Sequence, residues 1–275
     1  MQVTVLGSGS PLPDPQRAGP STLVRCAAGD LLFDCGRGVL MRAAAAGSGA
    51  NAFRALFLTH LHSDHITDLN DIFTMRWAMS FTPNPLTVFG PGGTSTLLRD
   101  TEAMLEPDIG FRLAHHGDLD WRPSAVVTEV DRGVVLDECG VQVAAAPTQH
   151  APVRPTVGYR VDEGDRSVVV AGDTVPCSGL DDLCKGADVL VHTVVRRDLI
   201  EQLGVPRLLD ILDYHSCIED AARTAVRNGV GTLILTHLVP APAPGTEKEW
   251  IDLAAEHFDG VVVLASDLST VDLAG

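Results

Sequence analysis

The chain has 275 residues, 45% of them hydrophobic, and a formal net charge of −16. That length suits one domain spanning residues 1–275, and the charge argues against an extended grip on nucleic acid or on anionic membranes, both of which need clustered cations. No apolar run approaches the roughly 18 residues of a membrane span, the N-terminus lacks export signals, and the six cysteines form no close pairs, so a cytoplasmic protein with reduced thiols is expected.

Val3 to Leu6 reads as a strand that runs into the Gly/Pro loop Gly7-Ser-Gly-Ser-Pro-Leu-Pro. Thr22–Arg25 and Leu31–Asp34 read as two strands joined around Ala28-Gly-Asp30. A helix is expected over Gly36–Ala46, stopped by Gly47. Ala55–Thr59 is apolar and too short for a helix, which predicts a buried strand, and Asp68–Ser80 reads as a helix. Further strands are expected at Leu86–Gly90, Val141–Ala146, Val157–Val161, Ser167–Ala171, Val189–His192, Thr232–Thr236 and Val261–Leu264, with helices at Ile218–Asn228 and Glu247–His257. Strands flanked by helices in this way predict an α/β domain. No low-complexity segment, repeat or linker interrupts the chain.

The chemistry concentrates after the strand at residue 59. His60, His62, Asp64 and His65 fall within six residues, on the loop expected at that strand's C-terminal edge. Imidazole and carboxylate are ligands that zinc takes without thiolate. On extended backbone, residues two apart share a face, so His60 and His62 can point at one metal while Asp64 and His65 turn toward a neighbouring one. His150, Asp173 and His237 each follow another apolar strand and are further candidate ligands. The pair His115–His116 is read instead as a loop or strand edge without a metal role, because adjacent strand residues face opposite ways. Arg196 and Arg197 follow the strand ending at His192; phosphate binding and solvated helix charge are both open readings for them.

His60-Leu-His62-Ser-Asp64-His65, preceded by Phe33-Asp34-Cys35-Gly36 and followed by His150, Gly172-Asp173-Thr174 and Thr236-His237, resembles the metallo-β-lactamase superfamily. Within it the chain is similar to the ribonuclease Z branch, whose members process the 3′ ends of tRNA; Val5-Leu-Gly-Ser-Gly-Ser and Tyr214-His215-Ser216 match that branch too. The resemblance runs from residue 3 to about residue 270. It implies a four-layer αββα sandwich, two mixed sheets face to face with helices outside and the site at one edge between them. It also implies two metal ions per chain, Zn2+ with Mn2+ or Fe as alternatives. His60, His62 and His150 would hold the first, Asp64, His65 and His237 the second, and Asp173 would bridge them. Such a pair activates a hydroxide for in-line attack on phosphorus. Asp64 would orient it and take its proton, and His215 would protonate the leaving group or stabilise charge.

Two positions depart from that pattern. Thr193 stands where ribonuclease Z carries a glutamate that orients the catalytic histidine, and Asp213 is the nearest replacement. Only Asp162-Glu-Gly-Asp-Arg166 joins the strands between which bacterial ribonuclease Z inserts a long tRNA-clamping arm. The expected function is a zinc-dependent phosphodiesterase of ribonuclease Z type acting on tRNA precursors, with a weak grip on tRNA. A homodimer is implied by the family. The alternative is a small-molecule metallohydrolase with the same site, acting on an aryl phosphodiester, aryl sulfate, lactone or thioester. A non-catalytic scaffold is disfavoured by the complete ligand set.

Overall fold

In the computed structural model, which describes residues 1–273, fourteen strands form two sheets of seven. They are β1 (Gln2–Gly7), β2 (Ser21–Cys26), β3 (Gly29–Phe33), β4 (Phe53–Phe57), β5 (Leu86–Gly90), β6 (Ala125–Glu129), β7 (Gly133–Glu138), β8 (Val141–Pro147), β9 (Val157–Glu163), β10 (Arg166–Val170), β11 (Val189–Val195), β12 (Thr232–Val239), β13 (Val261–Leu264) and β14 (Ser269–Asp272). The first sheet has the order β14-β1-β2-β3-β4-β5-β6, the second β13-β12-β11-β10-β9-β8-β7. In each, antiparallel hairpins give way to parallel strands: β3 to β6 in the first, β10 to β13 in the second. The last strand, β14, crosses back to pair with β1.

Alternation along each strand builds the layers. Val3, Val5, Leu31, Phe33, Ala55 and Phe57 from the first sheet meet Val157, Tyr159, Val161, Val168, Val170, Val189 and Val191 from the second. Phe57 stacks on Phe33 and Phe89, with ring centroids 4.8 and 5.0 Å apart, and takes Tyr159 edge-on. The Tyr159 hydroxyl donates to the Leu58 carbonyl at 2.8 Å, which ties the two sheets together. The intervening residues face outward. Leu6, Leu32, Leu56 and Leu58 pack under the helices Val39–Ala45 and Leu69–Ala78, and Val169, Leu190, Leu233 and Leu235 under Ser178–Cys184, Ile218–Asn228 and Glu247–Ala255. This is the expected αββα sandwich.

Several boundaries differ from expectation. The first helix begins at Val39 instead of Gly36, because Gly36 is pinned between Pro20 and the backbone of Asp64. A 22-residue helix, Thr94–His115, was not legible: it contains Pro107 and buries few side chains. It places His115 in its last turn, while His116, its extended cap, opens the loop that follows, so the loop reading holds for His116 alone; both are exposed. β6, β7 and β14 were also unpredicted; β6 and β14 are largely exposed. The β9–β10 connection is the tight turn expected, with Glu163 paired to Arg166 across Gly164 and Asp165. No described helix is long and apolar enough to cross a membrane.

Candidate metal centre and active site

All seven predicted ligands converge at one edge between the sheets, in two groups. His60, His62, His150 and Asp173 bring ligand atoms within 4.8 Å of one another, and so do Asp64, His65 and His237. Every one is buried except His62, which is half-buried. The cluster is not all loop: Asp64 and His65 sit on a one-turn helix, Ser63–Ile66, whose placement is fixed by a hydrogen bond from Cys35 N to His65 O. Nor does His237 follow its strand. It lies within β12, where Thr193 pairs with Thr236 and Val195 with Val239, so His237 and Leu238 together oppose Val194. That bulge re-aims the side chain, and His237 takes φ of 50° to do so. Asp34, the other non-glycine residue at the site with positive φ (57°), likewise holds a conformation that the surroundings must stabilise. Gly172, beside Asp173, allows close approach: a Cβ there would lie 2.7 Å from the Thr59 Cβ.

The anchors of the imidazoles show what the site can hold. The Thr59 hydroxyl donates to Asp34 Oδ2 at 2.8 Å, so toward His60 it can only accept, from Nδ1–H at 3.0 Å. That leaves His60 Nε2 as a bare lone pair. His150 Nδ1–H donates to the Tyr214 carbonyl at 2.9 Å, which leaves its Nε2 bare as well. Both nitrogens face His62 Nδ1, at 3.1 and 3.3 Å, with Asp173 Oδ2 3.8 and 3.7 Å away. Four acceptors thus converge with at most one proton among them. Burial pushes His60 well below the usual histidine range, lowers His62, and brings His150 down to about 4, so these rings are neutral, as metal ligands must be.

The second group is more highly charged. Burial opposes charge on His65, yet Asp173 and Asp34 outweigh it and hold it well above its ordinary value. Burial likewise opposes charge on His237, which Asp173 and Asp64 raise. Burial would lift Asp173, but His237, His65 and His215 drive it well below the usual carboxylate range. His65 donates from Nδ1 to Asp34 Oδ2 at 2.8 Å, while its Nε2, Asp173 Oδ1 and His237 Nδ1 are buried without a hydrogen-bond partner. Buried carboxylates demand positive charge, and imidazole with carboxylate is a donor set for zinc, manganese or iron. The residues fit a metal pair.

A cavity of about 210 Å³ opens on this cluster, lined by Ser10, Pro11 and Leu12 on one side, Leu208, Ile211, Tyr214 and Val239 on the other, and His62, Asp64, Asp173, His215 and His237 at its base. The Gly7–Pro13 loop therefore borders the site. His215 Nε2 lies 3.2 Å from Asp173 Oδ2, and its Nδ1–H donates to the Ile211 carbonyl at 3.0 Å. Asp213 is exposed and does not orient it; the backbone of the 3-10 turn Asp210–Asp213 does, which corrects the expectation for that carboxylate. Thr193 Oγ1 is occupied with the Gly172 carbonyl. Arg196 is buried against Asp198, Glu249 and the Trp250 ring, so solvent and substrate phosphate are both closed to it. Sequence reasoning missed the anchoring roles of Asp34 and of the Tyr214 and Ile211 carbonyls. Asp34 stood in the Phe-Asp-Cys-Gly motif, but nothing in its spacing reported that it reaches His65.

A β-lactamase superfamily domain model matches residues 30–238. Ribonuclease Z of Mycolicibacterium paratuberculosis (strain ATCC BAA-968 / K-10) is 54% identical over 275 residues, covering 99% of this chain and 98% of its own length. Ribonuclease Z of Mycobacterium bovis (strain BCG / Pasteur 1173P2) is 51% identical, with the same coverage. Among solved structures, human tRNase Z, short form, superposes with a TM-score of 0.74 at 24% identity, covering all of both chains. The metallo-β-lactamase fold protein YhfI of Bacillus subtilis also gives 0.74, at 21% identity and 98% coverage of both. The sandwich, the strand-edge His/Asp cluster and this full-length similarity place the chain in the β-lactamase superfamily, within its ribonuclease Z family.

Proposed function

We propose that the chain is a metal-dependent phosphodiesterase that cuts tRNA precursors, acting in the cytoplasm. The observation that carries this reading is the set of seven converging donors beneath a cavity of about 210 Å³, in a chain 54% identical to a ribonuclease Z. His60, His62, His150 and Asp173 would hold one metal ion and Asp64, His65 and His237 a second, with Asp173 near enough to both groups to bridge them. Two Zn2+ per chain suit these donors. When bound, such a pair supplies Lewis-acid polarisation of the phosphoryl oxygens and a nucleophile from water at neutral pH.

The chain's own groups would do the rest. Asp64 Oδ2 lies 3.2 Å from His237 Nε2 within the same donor group, and the Asp64 carboxylate lines the cavity, where it can take a proton from the attacking water. His215, fixed by Ile211 O, presents Nε2 to the cavity, from which a proton can pass to the departing ribose oxygen. Leu12, Leu208, Ile211 and Val239 give the cavity an apolar wall, which lowers the local dielectric and strengthens these charges. A homodimer belongs to the same proposal; exposed Phe81 and Phe111, at 94% and 74%, give it an apolar surface, and light scattering checks its mass.

The small-molecule reading is favoured by one feature, the two-residue turn at Gly164–Asp165 in place of an arm. Parallel turnover of a tRNA precursor, bis(p-nitrophenyl) phosphate and an aryl sulfate by metal-reconstituted protein separates the two. Cleavage of the precursor at one position is expected, and Asp64→Ala should lower it by more than the 10²–10⁴-fold typical of a lost general base, since a ligand goes too. Turnover of the small esters alone would overturn the tRNA reading.

A further inference from the structure

A net charge of −16 describes the chain as a whole and hides how its cations are spent. Among the described residues, all but six of the 20 lysine and arginine side chains hold a carboxylate in an ion pair. The exceptions are Arg17, Arg37, Arg76, Arg154, Arg197 and Arg207. Arg76 is buried and used internally, donating to the Ala50, Phe53, Asn84 and Pro85 carbonyls. The other five are distributed without regard to sequence, yet each lies on a segment that frames the catalytic cavity.

Arg17 and Arg37 line a cavity of about 500 Å³ with Pro13, the residue next to Ser10, Pro11 and Leu12, which wall the catalytic cavity. Arg37 follows Gly36, which packs on the backbone of Asp64. Arg154 lines a second cavity of about 500 Å³ that shares His150 and Tyr214 with the metal centre. Asp131 and Asp213 line it too, without pairing with the guanidinium. Arg207 precedes Leu208, a wall of the catalytic cavity. Arg197 opens the helix Arg197–Leu203 directly after Arg196, whose N–H donates to the carbonyl of Val239, another wall residue. Four of the five are exposed, and Arg17 is half-buried, donating to Ser8 Oγ and the Ala265 carbonyl.

Elsewhere the exposed cations are paired with carboxylates, whereas these five hold none. A catalytic cavity of about 210 Å³ takes a phosphodiester and its sugar and leaves the rest of a polynucleotide on the rim. We infer that Arg17, Arg37, Arg154, Arg197 and Arg207 form a discontinuous collar that binds RNA backbone phosphates on either side of the scissile bond. This rests on the tRNA-cleaving reading of the site and adds to it the means by which an acidic chain with no arm holds its substrate. Guanidinium suits the task, since it pairs with phosphate bidentately.

The test is the salt dependence of binding of a tRNA precursor to metal-loaded protein, measured by filter binding. The combined variant Arg37→Gln, Arg154→Gln, Arg197→Gln, Arg207→Gln is compared with a control of equal charge change at residues that line none of these cavities, Arg99→Gln, Arg112→Gln, Arg223→Gln, Arg227→Gln. Each phosphate contact contributes about 0.7–0.9 to the slope of log K against log salt, so the collar variant should lose about three from that slope, equivalent to about a hundredfold in affinity on going from 200 to 50 mM salt. The control should keep the wild-type slope. Metal content and melting temperature verify that both variants are folded. Equal slopes for collar variant and wild type, or equal losses in collar and control, would overturn the collar while precursor cleavage by wild-type protein leaves the enzymatic reading standing. Wild-type protein that neither binds nor cuts the precursor overturns both.

Discussion

Asp34 shows how much of this site depends on a residue that need not touch substrate. Its Oδ1 accepts from Thr59 N–H, and its Oδ2 accepts from both the Thr59 hydroxyl and His65 Nδ1–H, all at 2.8 Å. Through Thr59 it sets the tautomer of His60, and directly it sets the ring of His65, so one carboxylate orients a candidate ligand in each donor group. Partners of this kind are typically worth 10–100-fold in metal affinity. Asp34→Asn keeps the volume but puts an amide where an acceptor is needed. It should weaken zinc binding by about that factor, with the greater loss in the group that contains His65, as read by competition with a chromophoric chelator. Unchanged affinity in a folded variant would remove Asp34 from the positioning machinery. Thr193 illustrates the converse: its hydroxyl serves the Gly172 carbonyl, and His215 is oriented by a main-chain carbonyl that any residue at 211 would provide.

Elements were legible where periodicity and burial agree. Ile218–Asn228 and Val261–Leu264 have the boundaries read from sequence, the first because its apolar stripe ends at Gly229, a left-handed C-cap. Strand ends bearing His60, His150 and Asp173 were legible because short apolar runs stop abruptly at polar ligands. Thr94–His115 was not, since Pro107 sits in its middle and Met104 and Phe111 face solvent, so no stripe marks it. The bulge at His237 was invisible too, because it arises from a mismatch in pairing with β11 that no local pattern encodes. Arg196 misled for a related reason: its partner Trp250 lies 54 residues on, in the helix Glu247–Ala255. That helix is held by Trp250, which is fully buried against the outer face of the second sheet. Trp250→Ala should cost about 3–5 kcal/mol. At about 2–4 °C per kcal/mol for a chain of this size, the melting temperature should fall by ~10 °C. Calorimetry checks it; a fall of under two degrees would mean that the helix collapses onto the gap.

At the scale of the whole molecule, the candidate metal centre is the place where the fold is least self-sufficient. Loops and strand ends from both sheets meet there: His60 and His65 from the first half of the chain, His150, Asp173 and His237 from the second. Without metal, bare imidazole nitrogens face one another and Asp173 Oδ1 is buried with no donor, while three buried carboxylates, Asp34, Asp64 and Asp173, rely on His65 and His237 for compensation. A divalent ion in either group removes repulsion between elements that otherwise meet here through a few hydrogen bonds, such as Val157 N–H to the Thr59 carbonyl and Leu238 N–H to the Ser8 carbonyl. Metal binding is therefore folding free energy for the sandwich. A single site at 100 times its dissociation constant contributes about 2.7 kcal/mol, which at ~2–4 °C per kcal/mol predicts that zinc raises the melting temperature of chelator-stripped protein by at least five degrees. Asp173→Ala, which removes the carboxylate common to both groups, should bind less than one ion per chain and lose most of that rise. The paired measurements are elemental analysis and a melting curve with and without zinc. Stripped and reconstituted protein that melt together, with no metal retained after gel filtration, would show that the seven donors are reconciled by protons alone.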